Sequence, residues 1–141
     1  MFRKTLKEVE EIIDMDPNRV GDLFYDWFCS TKSLNRRASQ LLKKVKYIIE
    51  TLSLDKTKLK VTMKNNCPIY GELYDSFWIE NMETEKSIWV APKLGYSKEE
   101  LHNKCEISLF NEKEYLYNNW REFKKQLKTT ELNEKIKELL S

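Results

Sequence analysis

The stretch KLKVTMKNNCPIYGELYDSFWIENMETEKSIWV (58–90) changes the rhythm of the chain. Leu59, Val61 and Met63 alternate with Lys58, Lys60, Thr62 and Lys64, a two-residue period that predicts a half-buried strand. LYDSFWIE (73–80) and SIWVAP (87–92) read as two further strands joined by the polar turn NMETEK. Between the first two strands, Asn65, Asn66, Pro68 and Gly71 supply turn chemistry. That segment therefore reads as a hairpin connection rather than a catalytic loop, with Cys67 as a small residue within it. CEISLF (105–110) is a fourth candidate strand, and SKEELHNK (97–104) suits one or two helical turns capped by Ser97.

Outward from this stretch the period becomes helical. Leu6, Val9, Ile12 and Ile13 form an apolar stripe. DPNRVGDLFYDWF (16–28) predicts a second helix, with Asp16 as cap, Pro17 in the first turn and an apolar face of Val20, Leu23, Phe24, Trp27 and Phe28; Gly21 weakens it. A third helix after Ser33 carries Leu34, Ala38, Leu41, Leu42, Val45, Ile48, Ile49 and Leu52. At the far end, Leu116, Trp120, Phe123 and Leu127 keep helical spacing, and Leu132, Ile136, Leu139 and Leu140 make a last amphipathic segment.

The fold class expected is α+β: three N-terminal helices, a three- to four-stranded antiparallel sheet and C-terminal helices in a single domain, 1–141. The core should hold Leu23, Phe24, Trp27, Phe28, Leu41, Leu42, Val45, Ile49, Val61, Phe77, Ile79, Val90, Ile107, Trp120 and Phe123.

Composition narrows the function. In 141 residues the charged fraction is 34%, but the signs nearly cancel at +2, which argues against charge-driven disorder. MFRKTLKEVEEIID lacks the apolar region of a secretion signal, and no run approaches the roughly 18 apolar residues of a membrane span, so the expectation is a cytoplasmic protein with no membrane partner. Three cysteines, at positions 29, 67 and 105, fit free thiols in a reducing compartment. Three glycines, at positions 21, 71 and 95, cannot build a phosphate-binding glycine loop.

Candidate chemistry is thin. His102, the sole histidine, could pair with Cys67 or Cys105 as base and nucleophile, but no cysteine lies in a recognisable catalytic context. There is no paired-ligand motif for zinc. Asp22 and Asp26, at i and i+4 of the expected second helix, could share a cation, although such a pair is far more often a solvated helix face. The one Glu-x-Lys, Glu122 to Lys124, lies on an expected helix rather than on a nuclease strand. No cofactor, metal or enzymatic activity is expected.

Charge is segregated along the chain: residues 1–31 carry a net −3, 32–64 a net +8, 65–120 a net −5 and 121–141 a net +2. Arg36, Arg37, Lys43 and Lys44 lie off the apolar stripe of the third helix, and Lys58, Lys60 and Lys64 share a strand face. If that face is bare, Tyr74, Trp78 and Trp89 lie beside the lysines, a combination that suits stacking and phosphate contacts. If the C-terminal helices bury Trp120 and Phe123 against it, the same aromatics are core. The acidic turns NMETE, KEE (98–100) and NEKE (111–114) could instead dock on a basic surface.

VGDLFYDWFC (20–29), KNNCP (64–68), LYD (73–75) and NWREFKK (119–125) resemble, in order and over about 100 residues, a group of small bacteriophage and prophage proteins. The resemblance implies context, not activity: a phage or mobile element, whose small non-catalytic proteins often bind a host protein. The leading expectation is thus a non-enzymatic interaction protein acting on a host protein or nucleoprotein complex, such as an inhibitor of a bacterial defence system of the anti-CRISPR kind. The alternatives are a direct nucleic-acid binder using the basic residues above and a cysteine-dependent enzyme.

Overall fold

The computed structural model describes residues 3–27, 29–66, 74–95 and 103–141. Phe28, the centre of the expected β-hairpin connection with Cys67, Pro68 and Gly71, and most of the helical turn expected at 97–104, with His102, lie outside them.

The class is α+β. Strand β1 (Lys4–Thr5) leads into α1 (Leu6–Met15); a 3-10 turn (Pro17–Leu23) precedes α2 (Thr31–Thr51), and a second (Lys56–Lys58) precedes β2 (Leu59–Asn66). Then follow β3 (Tyr74–Asn81), β4 (Ser87–Ala91), β5 (Cys105–Leu109), β6 (Glu114–Tyr117), α3 (Trp120–Leu127) and α4 (Thr130–Leu140). The strands form one antiparallel sheet in the order β1-β2-β3-β4-β5-β6, so six strands replace the three or four expected.

Local chemistry sets the element ends. Thr5 accepts from the Glu8 amide at 3.2 Å while the Glu8 carboxylate reaches back to the Thr5 amide, a capping box that starts α1. The Ser30 hydroxyl caps α2. In the β3–β4 turn, buried Asn81 accepts from the amides of Glu83 and Thr84 at 2.9 and 3.1 Å and donates to the Leu140 carbonyl at 3.0 Å, which ties the turn to the end of α4.

Two expectations are corrected. The helix expected over 16–28 is only the 3-10 turn: the chain becomes extended at Phe24, which bridges Met63 in parallel. The Tyr25 amide donates to the Met63 carbonyl at 2.7 Å, and the Asn65 amide to the Asp26 carbonyl at 3.0 Å. β1 covers the edge of β2 only at Lys60 and Val61, and residues 24–26 cover it further along. Satisfying those edge amides and carbonyls outweighs a helical propensity already lowered by Gly21. Trp27 is consequently 46% exposed rather than core, its ring lying over Gly21.

The second correction lies at Leu116. It begins no helix but sits on β6, 48% exposed, and α3 starts only after Asn119, whose side chain accepts from the Glu122 amide at 2.9 Å. In EYLY (114–117), Tyr115 and Tyr117 follow a two-residue period and lean on the core.

One hydrophobic cluster joins the helices to one face of the sheet. Val9 and Ile13 of α1, Leu41, Val45 and Ile48 of α2, Phe123 of α3 and Ile136 of α4 pack with the inward-facing residues of the strands. Those are Val61 and Met63, Phe77 and Ile79, Ile88 and Val90, and Ile107. Trp120 packs against this cluster while partly exposed. Among the described residues, the other sheet face contributes nothing to the cluster.

Candidate functional site

Strand alternation places Lys60, Thr62 and Lys64 of β2 on that other face. With them lie Tyr74, Ser76, Trp78 and Glu80 of β3, with Tyr74 at the end of the sheet, Trp89 of β4, Glu106 and Ser108 of β5, and Glu114 and Leu116 of β6. The registers Thr62↔Trp78, Trp78↔Trp89 and Trp89↔Ser108 set the two tryptophans side by side at the centre. Their ring centroids are 6.4 Å apart at 52°, and both rings are half-buried. The C-terminal helices bury Phe123 and pack Trp120 on the opposite face, and Trp78 and Trp89 are not part of that core. At one end of the face Ser76 and Ala91 are buried; the tryptophans are half-buried, and Glu114 and Leu116 at the β6 margin are exposed.

The margins of the face carry opposite charges. On the β1–β2 side, the Arg3 guanidinium pairs with Glu80 across β2, and Lys64 stands 5.6 Å from the centre of the Tyr25 ring. On the β5–β6 side, Glu106 and Glu114 lie in adjacent rows. Burial, then the hydrogen bond and charge of Glu114, push the Glu106 carboxyl up to about 7. This acidic pair was not singled out from the sequence, because Glu114 was read as part of the acidic turn NEKE and Leu116 as the start of a helix; the alternation in EYLY was the signal that would have found it.

The seven candidate basic residues do not form one face. Lys60 and Lys64 belong to the helix-free side, Lys58 ends a 3-10 turn, and Arg36, Arg37, Lys43 and Lys44 belong to α2 on the helical side. Arg36, Arg37 and Lys44 meet Tyr74 and Lys93 around a cleft of about 410 Å3 between α2 and the sheet end where β3 begins and β4 stops. Lys43 is exposed outside it. Within the cleft, Asp75 accepts from Arg37 Nη1 at 3.2 and 3.3 Å and from Asn65 Nδ2 at 2.6 Å, and Asn65 in turn accepts from Cys29 Sγ at 3.1 Å.

Other candidate chemistry is not assembled. Cys105 is fully buried, and burial pushes its thiol up to about 12, so at neutral pH it is no thiolate nucleophile. Cys67 and His102 lie outside the described residues. Asp22 pairs with Arg19 at 3.3 Å and Asp26 is on the extended segment, so the shared helix face expected for these acids does not exist. Among the described residues no group of three or more His, Cys, Asp and Glu side chains is placed to hold a metal. Among them, too, no helix is long and apolar enough to cross a membrane.

No family model, curated protein or solved structure matches the chain.

Proposed function

We propose that this chain is a non-enzymatic interaction protein of a phage or mobile element. It docks on a host protein or nucleoprotein complex through the helix-free face of its sheet, and it inhibits a bacterial defence system in the anti-CRISPR manner. One observation carries the docking surface: Trp78 and Trp89 sit side by side, half-buried and outside the core, on a face against which no described helix packs. Tryptophans at the centre of a surface, rimmed by charge, are the usual energetic anchors of protein interfaces. The charge pattern favours a protein partner. A nucleic acid laid across the face would set its phosphates against Glu106 and Glu114, whereas a protein can answer both a basic and an acidic margin.

Direct nucleic-acid binding is the second reading. It is supported by Arg36, Arg37 and Lys44 in one cleft and opposed by the separation of these residues from Lys60 and Lys64.

A pull-down of the tagged protein from host lysate, with and without nuclease, tests the first reading. A stoichiometric host protein should survive nuclease treatment and moderate salt, and Trp78→Ala or Trp89→Ala should weaken its capture by roughly 2 kcal/mol or more each, about thirtyfold in Kd. Recovery of nucleic acid alone, lost at high salt, would replace it with the second. Full capture by the Trp78→Ala, Trp89→Ala double variant would move the interface off this face.

A further inference from the structure

We infer that the cleft between α2 and the β3–β4 end of the sheet is a binding site for a small phosphate-bearing ligand, held by Arg36, Arg37, Lys44 and Lys93. The inference does not rest on the docking face, whose tryptophans lie on the other side of the sheet from α2.

Three observations carry it. The first is unbalanced charge: among the described residues, four cations and one carboxylate, Asp75, border a cleft of about 410 Å3. Among the described residues, Arg36, Lys44 and Lys93 enter no ion pair, although the molecule pairs cations elsewhere. Gathering like charges around a concavity is unfavourable until an anion enters it.

The second is preorganisation. Asp75 is occupied by Arg37 and by the buried amide of Asn65, which is itself held by Cys29. This chain of hydrogen bonds, anchored in the interior, uses only Nη1 of Arg37 and fixes the guanidinium plane, leaving its remaining N–H groups for the planar, two-point contact that arginine makes with phosphate.

The third is the placement of Lys44. Lys44 lines the cleft, its ammonium stands 5.7 Å from the centre of the Trp120 ring, and burial lowers its pKa, so an anion in the cleft would compensate a desolvated charge. The volume falls within the range of small-ligand pockets, and Gln40, Leu41, Tyr74, Pro92 and Gly95 also line it. Phosphate suits the site better than a lone carboxylate, because it offers oxygens to several cations at once.

Isothermal titration at fixed ionic strength with pyrophosphate, ADP and adenosine tests the inference. Pyrophosphate and ADP should bind saturably, and adenosine should not. ADP tighter than pyrophosphate would mean that the nucleoside also contacts the cleft; equal affinities would mean that the phosphoryl chain is the whole recognition element. The triple variant Arg36→Gln, Lys44→Gln, Lys93→Gln should bind at least about tenfold more weakly with an unchanged circular dichroism spectrum, and Lys43→Gln should bind normally. Should the triple variant misfold, Arg37→Lys, which keeps the charge but removes the fork, must still weaken binding severalfold. Absence of saturable binding to either phosphate, equal binding of adenosine, or an equal loss in Lys43→Gln would overturn the site.

Discussion

Glu106 shows how a single side chain can report on the surface around it. Its carboxyl is raised from near 4.5 to about 7, first by burial and then by Glu114. A carboxyl raised on folding binds its proton more tightly in the native state, so its contribution to stability is most favourable below the unfolded value and is lost as pH rises through the native one. Relative to the wild type, Glu106→Gln should therefore gain stability between about pH 4.5 and 7 and hold that gain at pH 8. Melting temperatures of both proteins across this range check the sign; a difference independent of pH would mean that folding does not raise the Glu106 carboxyl. The same pair could serve recognition, because a basic partner group approaching it would drive off the shared proton.

Among the elements, α2 is the one most completely read from its sequence. Leu34 through Leu52 follow one stripe, and every residue of that stripe is buried. Its end is less visible. Ser53 adopts φ 52°, its amide donates to the Glu50 carbonyl at 3.2 Å, and the Leu54 amide to the Ile49 carbonyl at 3.0 Å, the paired bonds of a Schellman cap. Serine lacks glycine's freedom in this left-handed region, so Ser53→Gly should stabilise the protein by about 0.5–1 kcal/mol in urea denaturation. No gain would mean that the serine conformation carries little strain. The failures of sequence reading have the same local character. DLFYDWF has helical spacing and β-favouring aromatics at once, and so does EYLYNNW. In each case a neighbouring strand with open backbone groups decided for the extended form.

For the molecule as a whole, the informative asymmetry is between the two faces of one sheet. Adjacent residues of β3 report it: Phe77 is fully buried in the shared core, and Trp78 points the other way. Phe77→Ala should cost about 3–5 kcal/mol, as large-to-small changes in a packed core do. Trp78→Ala should cost about 1 kcal/mol or less, since surface positions rarely exceed that. Equilibrium unfolding of the two variants measures the contrast directly. Equal, large losses would place Trp78 in a core and remove the docking surface proposed above. The cleft follows from the same architecture. The polar side of α2 overhangs the end of the sheet, which brings Arg36, Arg37 and Lys44 to Lys93 across a long interval of sequence.

By itself the sequence determined the α+β class, the four central strands, the principal helices and most of the core. Those features rest on period and turn chemistry, which act over a few residues and so are written locally. Only the tertiary structure decided that residues 24–26 and 114–117 extend the sheet, that the described helices gather on one face, and that the basic residues divide between a cleft and the opposite surface. The reason is that a strand's hydrogen-bond partners and the covering of a face belong to residues far away in the chain. A two-residue period shows that a strand has two faces, and it says nothing about which of them the rest of the molecule will cover.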